Sequence, residues 1–109
     1  MNPSYSLVVP VFNSEKTLEL LCKRASNVLK NITENYEIIL INDGSTDKSF
    51  TIMEQLKKKN STIKIINLSR NFGQHNALLC GMRNSKYEIT ITIDDDLQHP
   101  PEEIPKLIK

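Results

Sequence analysis

The sequence predicts an α/β fold: a three-layer sandwich in which a mostly parallel sheet, strand order 3-2-1-4, lies between helices. Two observations carry this reading. Short apolar runs at 6–11, 36–41, 63–68 and 89–93 alternate with stretches of helical periodicity, giving the order βαβαβαβ and then a last helix; such alternation makes parallel sheets with right-handed crossovers and helices on both faces. Polar residues also gather where the runs end, at Asn13, Asp43 and Asp94-Asp95-Asp96. Open sheets of this kind bind ligands beyond the carboxyl ends of their strands, and the first and fourth strands flank the point where the winding reverses.

The first strand, Ser6 to Val11, reads as a buried parallel strand, with Pro10 near its end where a missing donor does least harm. Asn13 or Ser14 then caps a helix whose apolar positions Leu18, Leu21, Cys22, Ala25, Val28 and Leu29 follow helical spacing. The second strand, Tyr36 to Ile41, runs into Asn42-Asp43-Gly44-Ser45-Thr46-Asp47. There Gly44 permits a tight turn and Ser45 or Thr46 caps a helix that turns Phe50, Met53 and Leu56 inward and ends among Lys57, Lys58 and Lys59.

Ile63 to Leu68 is the third strand. After Arg70-Asn71-Phe72-Gly73 comes a helix from about Gln74 to Asn84, apolar on several sides and therefore expected to be well buried. Ile89, Ile91 and Ile93 alternate with Thr90 and Thr92 as the fourth strand. Pro105 is tolerated only in a first helical turn, so the last helix begins no earlier than about Glu102, with Ile104, Leu107 and Ile108 on one face. In the 3-2-1-4 order the fourth strand lies at an edge. An unpaired, β-branched edge predicts a homodimer through residues 87–93, by edge pairing or by exchange of a loose tail from Glu102 to Lys109.

The 109 residues make room for one domain, 39% hydrophobic and 25% charged. A net charge of +1 supplies no field for nucleic acid or a membrane surface. Cys22 and Cys80 match no metal or redox spacing and read as buried free thiols of a reducing, cytoplasmic compartment. No apolar run approaches membrane-spanning length. The ending, one helix after the most polar stretch, suggests the amino-terminal half of a larger domain.

Glycine occurs only at 44, 73 and 81, which excludes both G-x-G-x-x-G and the P-loop motif. In an extended chain Asp94 and Asp96 point the same way, and two converging carboxylates suit magnesium or manganese completed by water and substrate phosphates. A solvated acidic turn ended by Pro100-Pro101 is the alternative. An EF-hand loop is excluded, because counting from Asp94 puts His99 where glycine is needed and Pro105 where glutamate is needed. Asp43 reads as an acceptor for a base imide or ribose hydroxyl, or as a plain turn; Asn13 as a site residue or a helix cap; Arg70 as a phosphate contact or a solvated loop residue. His75 and His99 read as non-ligands.

Four segments taken together resemble the successive motifs of glycosyltransferase family 2: Val9-Pro10-Val11-Phe12-Asn13, Ile41 to Asp47, Leu68 to Gly73, and Asp94 to Glu102. The last two are similar to the subgroup that glycosylates polyprenyl phosphates. This resemblance covers essentially the whole chain. It implies the nucleotide-binding half of a GT-A fold, a nucleotide-diphosphate sugar donor, a polyprenyl phosphate or glycan acceptor, and a divalent ion held by the D-x-D element.

By carry-over, Pro10, Phe12 and Asn13 line the nucleoside pocket and Asp43 binds base or ribose. Asp96 and Gln98 stand nearest the metal, Asp94 lies close to the ribose or a metal-bound water, and Asp95 and Arg70 complete the nucleotide site. Many members carry Tyr where Phe12 stands and Glu where Ser14 stands. The implied reaction is an inverting single displacement at the anomeric carbon; a lipid phosphate acceptor requires little general-base help, a sugar-hydroxyl acceptor requires a carboxylate base downstream, and acceptor contacts also lie after D-x-D, so that the 109 residues alone bind donor without transferring sugar. The full-length protein is expected at the cytoplasmic face of a membrane. A sugar nucleotidyltransferase is the enzymatic alternative, although Val11 to Glu15 is not its Gly-rich loop; a non-catalytic α/β module with an acidic pocket is the other.

Overall fold

A computed structural model describes residues 3–107. Four strands, β1 (Tyr5–Val11), β2 (Tyr36–Asn42), β3 (Ile63–Asn67) and β4 (Ile89–Thr92), form one sheet in the order β3-β2-β1-β4. Every pairing is parallel, running from Tyr5 against Tyr36 to Val11 against Asn42, from Tyr5 against Ile89 to Val8 against Thr92, and from Ile38 against Ile63 to Asn42 against Asn67. The expected architecture and strand order are both present.

Strand alternation divides the core. Leu7, Val9, Val11, Ile38 and Leu40 face the layer of helices α1 (Leu18–Ile32) and α2 (Ser49–Lys59), whereas Val8, Ile39 and Ile41 face α3 (Gln74–Arg83). Central strands buried on both faces need near-continuous apolar sequence, which β1 and β2 have. Each side chain removed fully from water contributes about 1.5–3 kcal/mol, so Leu7, Leu29, Leu40 and Met53, all buried, anchor the sheet to its helices. Pro10 is tolerated because the pairing of β1 with β4 ends at Val8 and Thr92, so its missing N–H falls beyond the last paired residue of β4.

Several local expectations are corrected. Neither Asn13 nor Ser14 caps α1 with its side chain. The helix starts at Leu18 with Thr17 in the cap position, while the Ser14 carbonyl accepts from Thr17 N at 3.1 Å and Leu18 N at 3.0 Å. Asn13 instead has a left-handed φ of 51°, a conformation Asn adopts more readily than most residues. Likewise Ser45 and Thr46 do not cap α2; Asp47 Oδ1 takes the Ser49 N–H at 2.8 Å, and Ser45 and Thr46 turn toward Asn13.

Helix α3 is not well buried. Only Ala77 and Gly81 are covered, and Leu79 and Met82 are exposed. It touches the sheet along one narrow stripe, where a Cβ on Gly81 would lie 2.6 Å from Ile41 Cδ1. Cys22 is buried as expected, but Cys80, on α3, is only half-buried. β4 ends at Thr92, one residue early. The described part of the tail is not loose: a 3-10 turn, Pro101–Glu103, precedes the short helix α4 (Ile104–Leu107), Pro101 and Ile104 are buried, and Arg24 pairs with Glu102 on two nitrogens. The expected facing of Leu107 and Ile108 lies outside the described side chains.

Glu37 is the charged residue most deeply placed in the sheet, 2% exposed. Its Oε2 accepts from Ser6 Oγ at 2.6 Å and Lys86 N at 2.7 Å, and Lys64 Nζ lies 2.9 Å from Oε1. Burial opposes its ionisation, but the Lys64, Lys86 and Ser6 donors outweigh that and hold its pKa below the ordinary carboxylate value. No helix among the described residues is long and apolar enough to cross a membrane.

Candidate nucleotide and metal site

The loops that follow β1, β2 and β4 meet around a cleft of about 380 Å³. Pro10, Phe12, Asp43, Asp94, Asp95 and Asp96 line it, joined by Asn71 and Gly73 from the segment between β3 and α3 and by Gln74 at the start of α3. The sheet explains this convergence, because the carboxyl ends of parallel strands all open on one side.

Asp43 is 3% exposed and its backbone N donates to Val11 O at 2.8 Å, continuing the ladder into the loop. Its Oδ1 accepts the Phe72 N–H at 2.8 Å. Gly44 makes that approach feasible: its φ is +74°, and a Cβ there would lie 2.6 Å from the Arg70 carbonyl carbon and 2.9 Å from Asn71 Cα. The turn at Gly44 and the loop at 70–73 are therefore packed against each other by the absence of a side chain.

The three aspartates have separate partners. Asp94 Oδ1 accepts from Gln74 Nε2 at 2.7 Å, Asp96 Oδ1 accepts from Gln98 N at 3.0 Å, and Asp95 Oδ2 accepts from Phe12 N at 2.9 Å and from the Ser14 hydroxyl. The strand alternation expected to aim Asp94 and Asp96 alike does not extend this far, since β4 stops at Thr92 and the chain bends from Asp95 onward. A bent loop, not a pleat, brings both carboxylates to the cleft. Among the described residues no three His, Cys, Asp or Glu side chains gather as a metal cage.

Three of the expected site residues do not line this cleft. Asn13 Oδ1 accepts from Thr46 N at 2.7 Å and Asp47 N at 3.3 Å, so its side chain ties the β1 and β2 loops together. Arg70 stacks on Phe72, its guanidinium carbon 4.9 Å from the ring centroid. Gln98 contributes its backbone N–H to the Asp96 turn. His99 lines a neighbouring, mainly apolar hollow of about 420 Å³, with Leu78, Ile93 and Ile104, on the other side of Asp94.

Sequence reasoning missed Gln74, Ser14 and the Phe72 amide as supports for the acidic groups. Gln74 was legible in part, because it opens a helix directly after a strand-end loop; the other two depend on contacts across 29 and 81 residues of chain. Asp47 holds the adjacent loop. Burial raises its pKa, but Ser49 and the Glu15 amide more than compensate and leave it below the ordinary carboxylate value.

Residues 6–109 match the family described as Glycosyl transferase family 2. Among curated proteins the chain is 45% identical over 106 residues to an undecaprenyl-phosphate 4-deoxy-4-formamido-L-arabinose transferase of Photorhabdus laumondii, covering 95% of this chain and 32% of that protein. It is 43% identical over 105 residues to the protein of the same description from Proteus mirabilis, covering 94% and 32%. The chain thus spans about a third of the length of these relatives.

Among solved structures it resembles S. aureus TarS in complex with UDP, with a TM-score of 0.75 and 24% identity over 85% of this chain and 27% of that one. It also resembles the mannosyltransferase PcManGT of Pyrobaculum calidifontis in complex with GDP-Man and Mn2+, with a TM-score of 0.74 and 17% identity over 94% and 30%. The likeness establishes the GT-A fold.

Proposed function

The chain belongs to glycosyl transferase family 2, and from that premise we propose that it is the donor-nucleotide half of an inverting enzyme that moves a sugar from a nucleotide-diphosphate sugar to a polyprenyl phosphate. The observation that carries this reading is the placement of buried Asp43 on the same cleft as Asp94 and Asp96. The names of the curated relatives, polyprenyl-phosphate sugar transferases, support the acceptor class. The cytoplasmic face of a membrane, where a polar nucleotide sugar can meet a lipid phosphate, is the corresponding location.

Each residue has a role that follows from its surroundings. Phe12, 47% exposed at the rim, offers a ring face for a base. Asp43 has one oxygen committed to the Phe72 amide, which orients the other toward donors on the base or ribose. Pro10 packs behind the nucleoside. Arg70, outside the cleft and stacked on Phe72, meets the outer phosphate only if that loop closes.

Asp94 and Asp96 are hard oxygen donors in a cleft rich in carboxylates, which repels a diphosphate unless a cation lies between them. Two carboxylates are the usual protein share for magnesium or manganese, with water and phosphate oxygens supplying the rest. They, with Gln98 if its side chain swings inward, would hold that ion. When bound, the ion neutralises charge on the departing diphosphate. The acceptor phosphate oxygen supplies the electron pair for the new bond to the anomeric carbon, and the pair of the broken bond leaves with the nucleoside diphosphate. An anionic acceptor needs no general base.

Titration calorimetry with uridine and guanosine diphosphates, in manganese and in chelator, tests the proposal. Binding that strengthens with metal is expected. Absence of binding to either nucleotide in both conditions overturns it.

A further inference from the structure

We propose that Asp95 is a positioning residue that sets the spacing between the nucleoside side of the cleft and the D-x-D side, rather than a group that touches the nucleotide. This deepens the donor-nucleotide reading and rests on it. The parallel pairing of β1 with β4 ends at Val8 and Thr92, and Ile93 N donates to Val8 O just beyond. Past that point the chains diverge into separate loops, one carrying Phe12 and the other Asp94 and Asp96.

Among the described residues, every hydrogen bond between the 12–17 loop and the 94–99 loop ends on Asp95. Its Oδ2 accepts from Phe12 N at 2.9 Å and from the Ser14 hydroxyl, and its backbone carbonyl accepts from Thr17 Oγ1 at 2.7 Å. Ser14 Oγ also lies 3.2 Å from the Phe12 carbonyl, which closes a small ring of Phe12, Ser14 and Asp95. Bonds to an ionised acceptor are the stronger kind, and both side-chain bonds are spent on one oxygen.

The consequence is a fixed distance between two halves of a site that must hold one ligand at both ends. Phe12 has its ring half-exposed and no strand partner of its own, so its backbone position depends on this carboxylate. Misplacing one end of a two-ended ligand by a fraction of an ångström weakens both contacts. The middle residue of the acidic triplet lines the cleft beside its neighbours, but its bonded oxygen is committed to Phe12 N and Ser14, and through them it acts on Phe12.

Two measurements on Ser14→Ala, Asp95→Ala and the double variant test this. The first is amide hydrogen exchange of Phe12 in the ligand-free protein, which needs no nucleotide. Exchange at least about 10-fold faster in both single variants is expected, with other sheet amides unchanged. The second is the affinity for uridine and guanosine diphosphates in manganese: both single variants should lose a similar factor, about 3- to 10-fold, and the double variant no more than either.

A Phe12 amide unmoved by Asp95→Ala overturns the proposal. So does an affinity lost in Asp95→Ala yet intact in Ser14→Ala, which is the signature of a direct contact. Failure of the parent protein to bind either nucleotide would overturn the functional reading instead, and Phe12 exchange would then still decide whether Asp95 holds the two loops together.

Discussion

Asp43 Oδ1 receives the backbone N–H of Phe72 at 2.8 Å, joining the loop after β2 to the loop after β3 across 29 residues of sequence. Because Asp43 is buried, this bond satisfies one of its carboxylate oxygens and orients the other. Asp43→Ala should therefore weaken nucleoside diphosphate binding equally in manganese and in chelator. It should also lower stability by about 0.5–1.5 kcal/mol, the net worth of one lost hydrogen bond. Denaturant unfolding alongside calorimetry reads both effects, and Asp43→Asn, which keeps an acceptor, should recover most of the stability.

Asp96→Asn should act differently. It removes charge at the cleft without disturbing any bond between elements, since its hydrogen-bond partner among the described residues is Gln98 N in its own turn. The metal-dependent gain in affinity should fall by about 10-fold, a change of about 1.4 kcal/mol, while binding in chelator stays the same. An equal loss in both conditions would place Asp96 outside the metal shell.

The pKa of Glu37 is held below the ordinary carboxylate value, mainly against its burial, by Lys64, Lys86 N and Ser6. A depressed folded-state pKa means that the unfolded chain takes up the proton first. The stabilisation is therefore complete above the ordinary value of 4.5 and is lost as pH falls through the lower folded pKa. Unfolding free energies measured from pH 7 down to 3 should show this acid limb, and Glu37→Gln should flatten it. At neutral pH, Glu37→Ala leaves the buried Ser6 hydroxyl without its acceptor, while the exposed Lys64 stays hydrated, and should cost about 1–3 kcal/mol.

Burial pushes the Cys22 thiol up to about 12. Its thiolate is then scarce at neutral pH, so iodoacetamide should modify Cys22 only when the protein is unfolded. Mass spectrometry after brief labelling in buffer and in denaturant reads the difference. Cys80, half-buried on α3, provides the comparison.

Self-association through residues 87–93 is expected to be sensitive to the outward side of β4. Ile89 N and Ile93 N donate toward β1, so by strand alternation the amides of Thr90 and Thr92 face away from it. Ile91 belongs to the core, and a charge there would damage the fold itself, whereas Thr92 is exposed. Thr92→Lys should dissolve an edge-paired dimer without unfolding the chain. Light scattering that finds a monomer at high concentration, or a dimer indifferent to Thr92→Lys, would show that this edge is not the contact.

Periodicity in the sequence determined the elements and their order, because alternation and helical spacing are properties of a few consecutive residues: Ile89 to Ile93 could only be a strand, and Leu18 to Leu29 only an amphipathic helix. It also determined that Asp43 and the acidic triplet would share a cleft, since parallel strands open at one end. Tertiary structure alone decided what each side chain does there. Asn13 leaves the extended path with a positive φ and the chain bends from Asp95 onward, so counting by twos no longer says where Asn13, Asp95 or Asp96 points. Asp47 in place of Ser45 or Thr46 at the start of α2, and the bare outer face of α3 at Leu79 and Met82, were decided the same way. Such choices depend on partners tens of residues away, and no local pattern carries the distance at which two loops will meet.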